Sequence, residues 1–315
     1  MRLPVQTVPL NFIRGRKKRA EEMPRGGKPE WLKVRAPGSE NYHRLKGLMR
    51  TLGLHTVCEE ANCPNIGECW NHGTATFMIL GDTCTRSCAY CNVTHGAPKA
   101  PDADEPVKVA SAIHAMDLAY VVITSVDRDD LADGGSGHFA RTIAETRARI
   151  PSCRVEVLIP DFKGDEAALH TVLDAKPDVL NHNIETVPRM YRIARPGGRY
   201  ERALQVLERS RAYAPRIPTK SGLMVGLGEE WDEVVDTLRD LSRVGCQIVT
   251  IGQYLRPSLA NLAMSRYYTP AEFAELKRIG LELGIGHIES GPLVRSSYHA
   301  HEQTAAYEAT ADAVR

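Results

Sequence analysis

The sequence has little net charge and no long hydrophobic run. Its 315 residues carry a formal net charge of +1, which gives no general case for binding nucleic acid. No apolar stretch approaches the roughly eighteen residues of a membrane span, and we find no secretory signal with a charged start, apolar middle and small-residue cleavage site. At 43% apolar content the chain can bury a core. We expect a globular protein of the reducing cytoplasm, with no nucleic acid or membrane partner.

Residues 1–20 also lack acidic side chains, although they contain Arg2, Arg14, Arg16, Lys17, Lys18 and Arg19. Such a segment can be an organellar presequence or a flexible basic arm. Serine is absent there, and Pro4 and Pro9 interrupt any amphipathic helix, so we favour the basic arm. An arm of this kind can steer an acidic partner through its electric field.

From Thr76 onward, short β-branched runs alternate with amphipathic stretches, which is typical of strand–helix units and a parallel sheet. The predicted strands span 76–82, 120–126, 154–160, 179–185, 219–226 and 248–254, and the predicted helices span 105–118, 137–150, 201–213, 229–244 and 269–284. Six units favour an α/β fold with a partial (β/α)6 barrel of the TIM type over a doubly wound sheet, and both folds bind ligands at the carboxyl ends of the strands. We therefore predict an N-terminal extension at 1–75, a barrel at 76–286 and a C-terminal extension at 287–315.

Six of the eight cysteines lie between Cys58 and Cys91, and "CTRSCAYC" places Cys84, Cys88 and Cys91 directly after the first predicted strand. Clustered cysteines in a reducing compartment are metal ligands more often than disulfides. The alternatives are buried thiols and a zinc knuckle, but neither a second Cys-x2-Cys pair nor a well-spaced histidine follows to complete a zinc site. The spacing favours a 4Fe-4S cluster held at three irons, with the fourth iron open to a substrate or cofactor.

With Tyr90 as the aromatic residue before the last cysteine, this motif resembles the signature of the radical S-adenosylmethionine (SAM) superfamily. The resemblance implies that Cys84, Cys88 and Cys91 hold a 4Fe-4S cluster and that the amino and carboxylate groups of SAM chelate its open iron. It also implies that an electron from the cluster cleaves SAM to a 5′-deoxyadenosyl radical. In such enzymes the protein supplies position and excludes water.

A second trio, Cys58, Cys63 and Cys69, lies just upstream in "CEEANCPNIGEC". Alone, its Pro64 and Gly67 predict a loop, and a zinc loop could look similar. Beside the first motif it resembles the lipoyl synthase family, where such a trio holds an auxiliary 4Fe-4S cluster. The resemblance extends from about residue 28 to residue 300 and includes "KPEWLKVRAP", "VVITSVDRDDLADGG", "NHNIETVPRMYRIARPG", "TKSGLMVGLGE", "QYLRPS" and "ESGPLVRSSYHA".

The same resemblance implies that the fourth ligand of the auxiliary cluster is a serine of an Arg-Ser-Ser-Tyr motif. This motif is matched by Arg295, Ser296, Ser297 and Tyr298. By the resemblance Ser297 is the first choice of ligand and Ser296 the second. A serine alkoxide is a harder and weaker partner for iron than a thiolate, which suits a ligand that must be released.

The activity implied by the resemblance is that of a sulfurtransferase. Its substrate is an octanoyl chain in amide linkage to a lysine of a lipoyl carrier domain, belonging to a 2-oxoacid dehydrogenase or glycine cleavage complex. Two SAM molecules abstract two hydrogens, the auxiliary cluster donates sulfur to carbons six and eight, and a ferredoxin or flavodoxin supplies electrons. No side-chain base can remove protons from such unactivated carbons. The alternatives are another radical SAM sulfur-inserting enzyme, such as a biotin synthase or methylthiotransferase, and a non-enzymatic iron–sulfur or zinc scaffold.

Candidate SAM contacts come from the strand ends. Thr124, Ser125 and Asp127 lie at the end of the second predicted strand, where superfamily members carry a Gly-Gly-Glu that binds the methionine amino group. In the fourth predicted strand, Asn183 and Glu185 are candidates for contacts with the ribose hydroxyls of SAM, because residues two apart share one face of an extended strand. A polar barrel interior is the alternative interpretation of this pair.

The fifth predicted strand and the loop after it resemble the superfamily's Gly-x-Ile-x-Gly-x-x-Glu pattern. Gly222, Gly226 and Glu229 match it, with Met224 in place of isoleucine. Glycine there would let the backbone approach adenine. Tyr254, Leu255 and Arg256 close the sixth strand and are candidates for backbone contacts to the same base.

Five further side chains have less specific signals. Lys220 and Arg195 are candidates for the methionine carboxylate or the carrier protein, with ordinary salt bridges as the alternative. Cys153 and Cys246 lie near strand starts, at the end of a barrel where stability is the usual role. His182 is expected to be structural.

Overall fold

The computed structural model describes residues 28–34, 37–61, 63–71 and 75–313. The basic segment at 2–20, with its predicted steering role, lies outside the described residues. In the N-terminal part, helices α1 (Glu40–Leu52), α2 (Val57–Glu60) and α3 (Ile66–Asn71) surround a short strand, β1 (His55–Thr56). Ser39 caps α1 by accepting the Tyr42 N–H at 3.2 Å. Gly53 ends the helix with a left-handed φ of 64°, a conformation that glycine adopts at little cost.

The remaining strands are β2 (Thr76–Ile79), β3 (Thr83–Cys84), β4 (Thr94–His95), β5 (Tyr120–Ser125), β6 (Arg154–Leu158), β7 (Val179–Asn181), β8 (Thr219–Val225), β9 (Ile248–Gln253) and β10 (His287–Gly291). The main sheet has the order β1-β2-β5-β6-β7-β8-β9-β10. β1 is antiparallel to β2, and the other pairs in this sheet are parallel. The parallel strands follow chain order with no reversal, whereas a doubly wound sheet reverses at a switch point. The predicted partial TIM-type barrel is therefore confirmed.

Crossover helices connect the parallel strands. They are α4 (Glu105–Ala115), α5 (Ser136–Arg149), α6 (Glu166–Asp174), α7 (Pro188–Ala194), α8 (Tyr200–Tyr213), α9 (Trp231–Arg243) and α10 (Pro270–Glu282), and α11 (Ala300–Ala313) follows the last strand. Local sequence explains where two of them begin, because α9 and α10 each start with a capping box. In α10, for example, Thr269 and Glu272 satisfy each other's backbone N–H groups, which would otherwise lack partners at the helix start.

The structure also differs from the sequence-based prediction in several places. All six predicted strands are present, but each ends earlier than predicted, and the fourth stops at Asn181. Helices α6, α7 and α11 were not predicted. Strand β10 was not predicted either, and it pairs with β9 although it lies beyond residue 286. The sheet thus continues into the region that the sequence analysis assigned to the C-terminal extension.

Helix α11 lies against the amino ends of the strands, opposite the edge where ligands usually bind. Tyr120, at the start of β5, lies 3.0 Å from the Thr304 hydroxyl, and Arg154, at the start of β6, pairs with Glu308. Cys153 is buried beside this end of the sheet. None of the helices in the described ranges is long and apolar enough to cross a membrane.

Candidate functional site

A cavity of about 240 Å³ lies at the carboxyl ends of β2, β5 and β6. Nine candidate site residues predicted from the sequence line it, namely Cys84, Cys88, Cys91, Thr124, Ser125, Asp127, Asn183, Glu185 and Arg195. Tyr90 of the cysteine motif lines it as well. The cysteine loop and three sets of strand ends that are distant in sequence therefore meet in one place, as expected for a parallel barrel.

The cysteine loop is held at both ends and along its length. β3 and β4 pair across it, joining Thr83 to Thr94 and Cys84 to His95. The Ala89 N–H donates to the Ala194 carbonyl, and the Ala89 carbonyl accepts from Leu262, both at 2.8 Å. These contacts fix the backbone that carries the three thiols.

Arg86, inside the motif, anchors this loop to its surroundings. Its guanidinium side chain is 4% exposed and forms ion pairs with Asp129 at 2.8 Å, Asp161 at 2.6 Å and Asp127 at 3.3 Å. Its backbone N–H donates to Cys84 Sγ at 3.4 Å. Arg86 was not predicted from the sequence, because its three partners come from loops after two other strands.

The three thiols of the loop are not poised to ionise on their own. Burial raises the pKa of Cys88 to about 12 and that of Cys91 to about 11, and it also raises the pKa of Cys84. A metal that binds here must therefore displace the thiol protons, which is usual for cysteine ligands.

Two neighbouring hydroxyls at the end of β5 differ in their bonding. Thr124 Oγ1 already donates to the Leu158 carbonyl at 2.8 Å. Ser125 Oγ is buried and has no hydrogen-bond partner within the described ranges. A buried polar atom without a partner is costly, so Ser125 has free capacity for a ligand in the cavity. The pKa of Asp127, two residues on, is raised by burial.

Asn183 and Glu185 form a connected pair at the cavity, but not on a strand. Asn183 Nδ2 donates to Glu185 Oε1 at 3.1 Å, and Glu185 lines the cavity together with Tyr90. Glu185 has a φ of +67°, an uncommon conformation for a residue other than glycine that often marks a functional site. Arg195 Nη1 donates to the Asn183 carbonyl at 2.9 Å, so this hydrogen bond helps to fix the backbone that carries Asn183.

The other predicted SAM contacts, which come from β8, β9 and the loops that follow them, do not line the cavity. Lys220 is fully buried and pairs with Glu156 at 3.0 Å. The Tyr254 hydroxyl donates to the Leu262 carbonyl at 2.7 Å. Gly226 has a φ of +99°, and a Cβ there would lie 2.2 Å from Gln253 Nε2. The contacts of these residues are with the protein itself.

Two further positions of the Gly-x-Ile-x-Gly-x-x-Glu pattern, Glu229 and Gly222, also contact the protein itself. Glu229 accepts the N–H groups of Gly226 at 2.6 Å and Leu227 at 2.8 Å, which closes the loop after β8. A Cβ on Gly222 would lie 2.6 Å from both Asn183 Oδ1 and Ser296 Oγ. Gly222 therefore provides room for a contact between the cavity and the C-terminal motif.

The second cysteine trio lies under the C-terminal motif. Cys58 is buried, and burial followed by the charge of neighbouring Cys63 raises its pKa to about 11. Burial, and then the charges of Cys58 and Cys63, raises the pKa of Cys69 to about 12. The guanidinium of Arg295 is close enough to Cys63 to lower the pKa of that thiol, although burial has the larger, opposite effect.

Further contacts join the same two segments. Asn65 Nδ2 donates to the Leu293 carbonyl at 2.7 Å, and the Tyr298 hydroxyl donates to Glu68 Oε1 at 3.1 Å. Ser297 is half-buried within a turn closed by the Tyr298 N–H and the Arg295 carbonyl. The structure thus brings the motif that contains Ser297 to the loop that contains the second trio.

In the parts of the chain that the structure describes, no three His, Cys, Asp or Glu side chains lie close enough together to hold one metal ion. Thiolates around a single zinc ion lie about 4 Å apart, given the usual zinc–sulfur distance. Thiolates that each bind a different iron of a four-iron cluster lie farther apart, so this finding concerns single-ion sites alone.

The sequence matches two described families. Residues 78–241 match the Radical SAM superfamily, and residues 9–63 match the N-terminal domain of lipoyl synthase of the Radical SAM family. The first match covers the strands that surround the cavity, and the second covers Cys58 and Cys63.

Two solved structures show a similar fold. Methylornithine synthase (PylB) aligns with a TM-score of 0.52 at 12% identity, over 84% of this chain and 82% of that chain. HydG, a maturase of the FeFe-hydrogenase, aligns with a TM-score of 0.55 at 15% identity, over 73% of this chain and 54% of that chain. At such low identity these alignments establish the fold alone.

Curated relatives are much more similar in sequence. A lipoyl synthase of Rubrobacter xylanophilus is 59% identical over 90% of this chain and 88% of that protein. A lipoyl synthase of Roseiflexus sp. is 57% identical over 88% of this chain and 92% of that protein, and one of Chloroflexus aurantiacus is 53% identical over 94% and 97%. Since the similarity extends over nearly the whole of each protein, the chain belongs to the lipoyl synthase family of the radical SAM superfamily.

Proposed function

We propose that the protein is a sulfurtransferase that inserts two sulfur atoms, at carbons six and eight, into an octanoyl chain on a lysine of a lipoyl carrier domain. One observation carries the proposal: two separate cysteine trios, one at the barrel cavity and one under the C-terminal Arg-Ser-Ser-Tyr motif. One trio suits radical formation, and a second supports sulfur donation. Membership of the lipoyl synthase family supports both assignments.

The donor atoms present fit the groups proposed for them. Each trio offers three thiols and no fourth cysteine, and the cavity beside Cys84, Cys88 and Cys91 contains the unpartnered Ser125 hydroxyl. When bound, a 4Fe-4S cluster with SAM at the first trio supplies a radical able to abstract hydrogen from unactivated carbon, and a second cluster supplies sulfur. Ser297 is the proposed fourth ligand at Cys58, Cys63 and Cys69.

The residues around the cavity have distinct proposed roles toward SAM. Asn183 and Glu185 are proposed to hydrogen-bond the ribose hydroxyls, and the bond of 3.1 Å between their own side chains fixes their orientation. Ser125 and Asp127, at the end of β5, are proposed to contact the methionine amino group. Thr124 can only accept there, because its proton is directed to Leu158.

Three predicted contacts have no direct role in this proposal. Lys220, Gly226 and Tyr254 are held by protein partners away from the cavity, so we assign them to support of the barrel. The division into 1–75, 76–286 and 287–315 is retained as functional parts, with the auxiliary trio in the first and its serine in the last.

The partners and compartment belong to the same proposal. We propose octanoylated lipoyl domains of 2-oxoacid dehydrogenase or glycine cleavage complexes as carriers, and a ferredoxin or flavodoxin as electron donor. We place the reaction in the cytoplasm, because the eight cysteines form no disulfide among the described residues and the proposed clusters need free thiols.

The direct test is anaerobic incubation of the reconstituted protein with SAM, a reductant and an octanoylated lipoyl-domain peptide, followed by mass spectrometry. We expect the peptide to gain two sulfur atoms, and we expect about eight irons and eight sulfides per chain. A Ser297→Ala variant is expected to form 5′-deoxyadenosine but to insert less sulfur.

Two results would contradict the proposal. Formation of 5′-deoxyadenosine by the unaltered protein without sulfur gain would point to another radical SAM sulfur-inserting enzyme. Bound zinc without sulfide would point to a scaffold without this activity.

A further inference from the structure

The C-terminal motif contacts the SAM cavity through a hydrogen bond that the proposed function does not use. The Ser296 hydroxyl donates to Asn183 Oδ1 at 2.9 Å. Asn183 lines the cavity, whereas Leu293 and Tyr298, on either side of Ser296, hydrogen-bond Asn65 and Glu68 in the loop of the second trio. One short segment therefore touches both proposed sites.

Two glycines on neighbouring strands make this approach possible. A Cβ on Gly222 in β8 would lie 2.6 Å from both Ser296 Oγ and Asn183 Oδ1. A Cβ on Gly252 in β9 would lie 2.1 Å from the Val294 carbonyl oxygen. Any larger residue would exclude the segment 294–296 from the barrel mouth, since real Cβ contacts are not this short.

From Asn183 a hydrogen bond continues to Glu185, beside the cysteine loop. Asn183 Nδ2 donates to Glu185 at 3.1 Å, and Glu185 lines the same cavity as Tyr90, which lies between Cys88 and Cys91 in the sequence. The amide of Asn183 is thus held at both ends, since Oδ1 accepts from Ser296 and Nδ2 donates to Glu185. These two bonds fix its orientation and leave one lone pair of Oδ1 and one proton of Nδ2 for a ligand.

We propose that Ser296 is a positioning residue for SAM, acting through Asn183. The two serines of the motif then have separate roles: Ser296 orients the SAM-binding amide, and Ser297 faces the auxiliary site. This inference rests on the proposed SAM site. It also links the two sites, because a displacement of the segment at the second trio breaks the Ser296 bond and weakens SAM binding.

The test is a mutant cycle read by SAM affinity, measured anaerobically on cluster-loaded protein without reductant, so that no turnover occurs. Ser296→Ala is expected to raise the Kd for SAM about fivefold, the usual worth of one neutral hydrogen bond. Asn183→Ala is expected to raise it at least as much. Because the serine acts through the asparagine, the double variant should bind no more weakly than Asn183→Ala alone.

Ser290→Ala provides the matched control. Ser290 is a half-buried serine near the carboxyl end of β10. Its hydroxyl donates to the Phe273 carbonyl at 2.7 Å, so the loss of this hydroxyl should leave the Kd for SAM unchanged. Gly222→Ala is a second probe that keeps both polar groups but forces them apart, and it should weaken SAM binding as well. Iron content and thermal unfolding confirm that each variant is folded and loaded.

A second readout follows the reduced cluster at the first trio by electron paramagnetic resonance. The SAM concentration at which its signal changes should be about fivefold higher in Ser296→Ala than in the unaltered protein. If the unaltered protein binds SAM and Ser296→Ala binds it equally well, the inference is wrong while the proposed function stands. Additive effects of the two substitutions would also contradict it. If the unaltered protein does not bind SAM, the proposed function itself fails.

Discussion

Replacement of Lys220 by methionine is expected to destabilise the barrel without weakening SAM binding. The lysine and its partner Glu156 are both fully buried, with Nζ 3.0 Å from the carboxylate. Glu156 also accepts hydrogen bonds from the Tyr120 hydroxyl at 2.7 Å and from Asn181 at 3.2 Å. Lys220→Met would leave this carboxylate buried with neutral partners only.

The expected loss follows from the cost of an uncompensated buried charge. Removing one partner of a buried ion pair typically costs about 3 to 5 kcal/mol of unfolding free energy. Because two neutral donors remain on Glu156, we expect a value near the lower end, about 3 kcal/mol. The double variant Lys220→Met/Glu156→Gln should recover most of it, since glutamine carries no charge, keeps one acceptor oxygen for Asn181 and turns its NH2 toward the Tyr120 hydroxyl, which can accept it.

Urea unfolding of the three proteins, followed by circular dichroism under anaerobic reducing conditions, measures the free energies, and equilibrium dialysis measures SAM affinity. We expect the same Kd for SAM in all three. If Lys220→Met keeps the original stability and binds SAM more weakly, the lysine reaches the cofactor as its sequence position suggested. The burial argument for Lys220 would then be refuted.

Arg86→Met should cost about 3 kcal/mol in the same urea assay, because it removes the ion-pair partner of half-buried Asp127 and Asp129 and leaves buried Asp161 paired with Arg202, and it should lower the iron content at the first trio. Arg189→Met, which removes an exposed pair with Glu233, is the control and should cost about 0 to 1 kcal/mol; equal losses would contradict the anchoring role of Arg86. Although burial acts in the opposite sense, hydrogen bonds to Glu302 and Glu68 raise the pKa of His299. The contact of His299 with Glu302 and Glu68 should therefore make its full contribution to stability below about pH 6.5. This contribution should be lost as the pH rises through the raised pKa of His299. Urea midpoints of His299→Gln should accordingly vary less between pH 6 and 8 than those of the unaltered protein.

The barrel was predictable because its strands are apolar runs whose burial is decided by composition and period. Strand ends were less predictable, and Glu185 shows why. β7 ends at Asn181, and Glu185, with a φ of +67°, returns to the sheet through an isolated bridge to Leu223, which no propensity for a glutamate would indicate. The prediction that Asn183 and Glu185 lie together rested on a strand that is absent there. A local hydrogen bond brings them together instead.

The members of the cavity were predictable from motif spacing and strand ends, but their supports were not. Arg86 is a single basic residue in sequence, and its importance depends on aspartates at positions 127, 129 and 161. Ser296 likewise depends on a contact with Asn183 across 113 residues. For Lys220 the error has the opposite sign. A charged residue in a strand indicates a functional role, but the structure shows that Lys220 pairs with buried Glu156. Which cation has an internal partner is a property of packing that one sequence does not reveal.

The contacts between the second trio and the C-terminal motif have a consequence for the timing of synthesis. Asn65 and Leu293, which hydrogen-bond, are separated by 228 residues. At about 5 to 20 residues per second, a ribosome needs on the order of ten to forty seconds to make the intervening chain. During that interval Cys58, Cys63 and Cys69 have emerged, but the segment that covers them has not been translated. A metal ion or oxidant that arrives in this interval can react with the uncovered thiols. We therefore expect the cluster to be inserted at the second trio only after the barrel has closed.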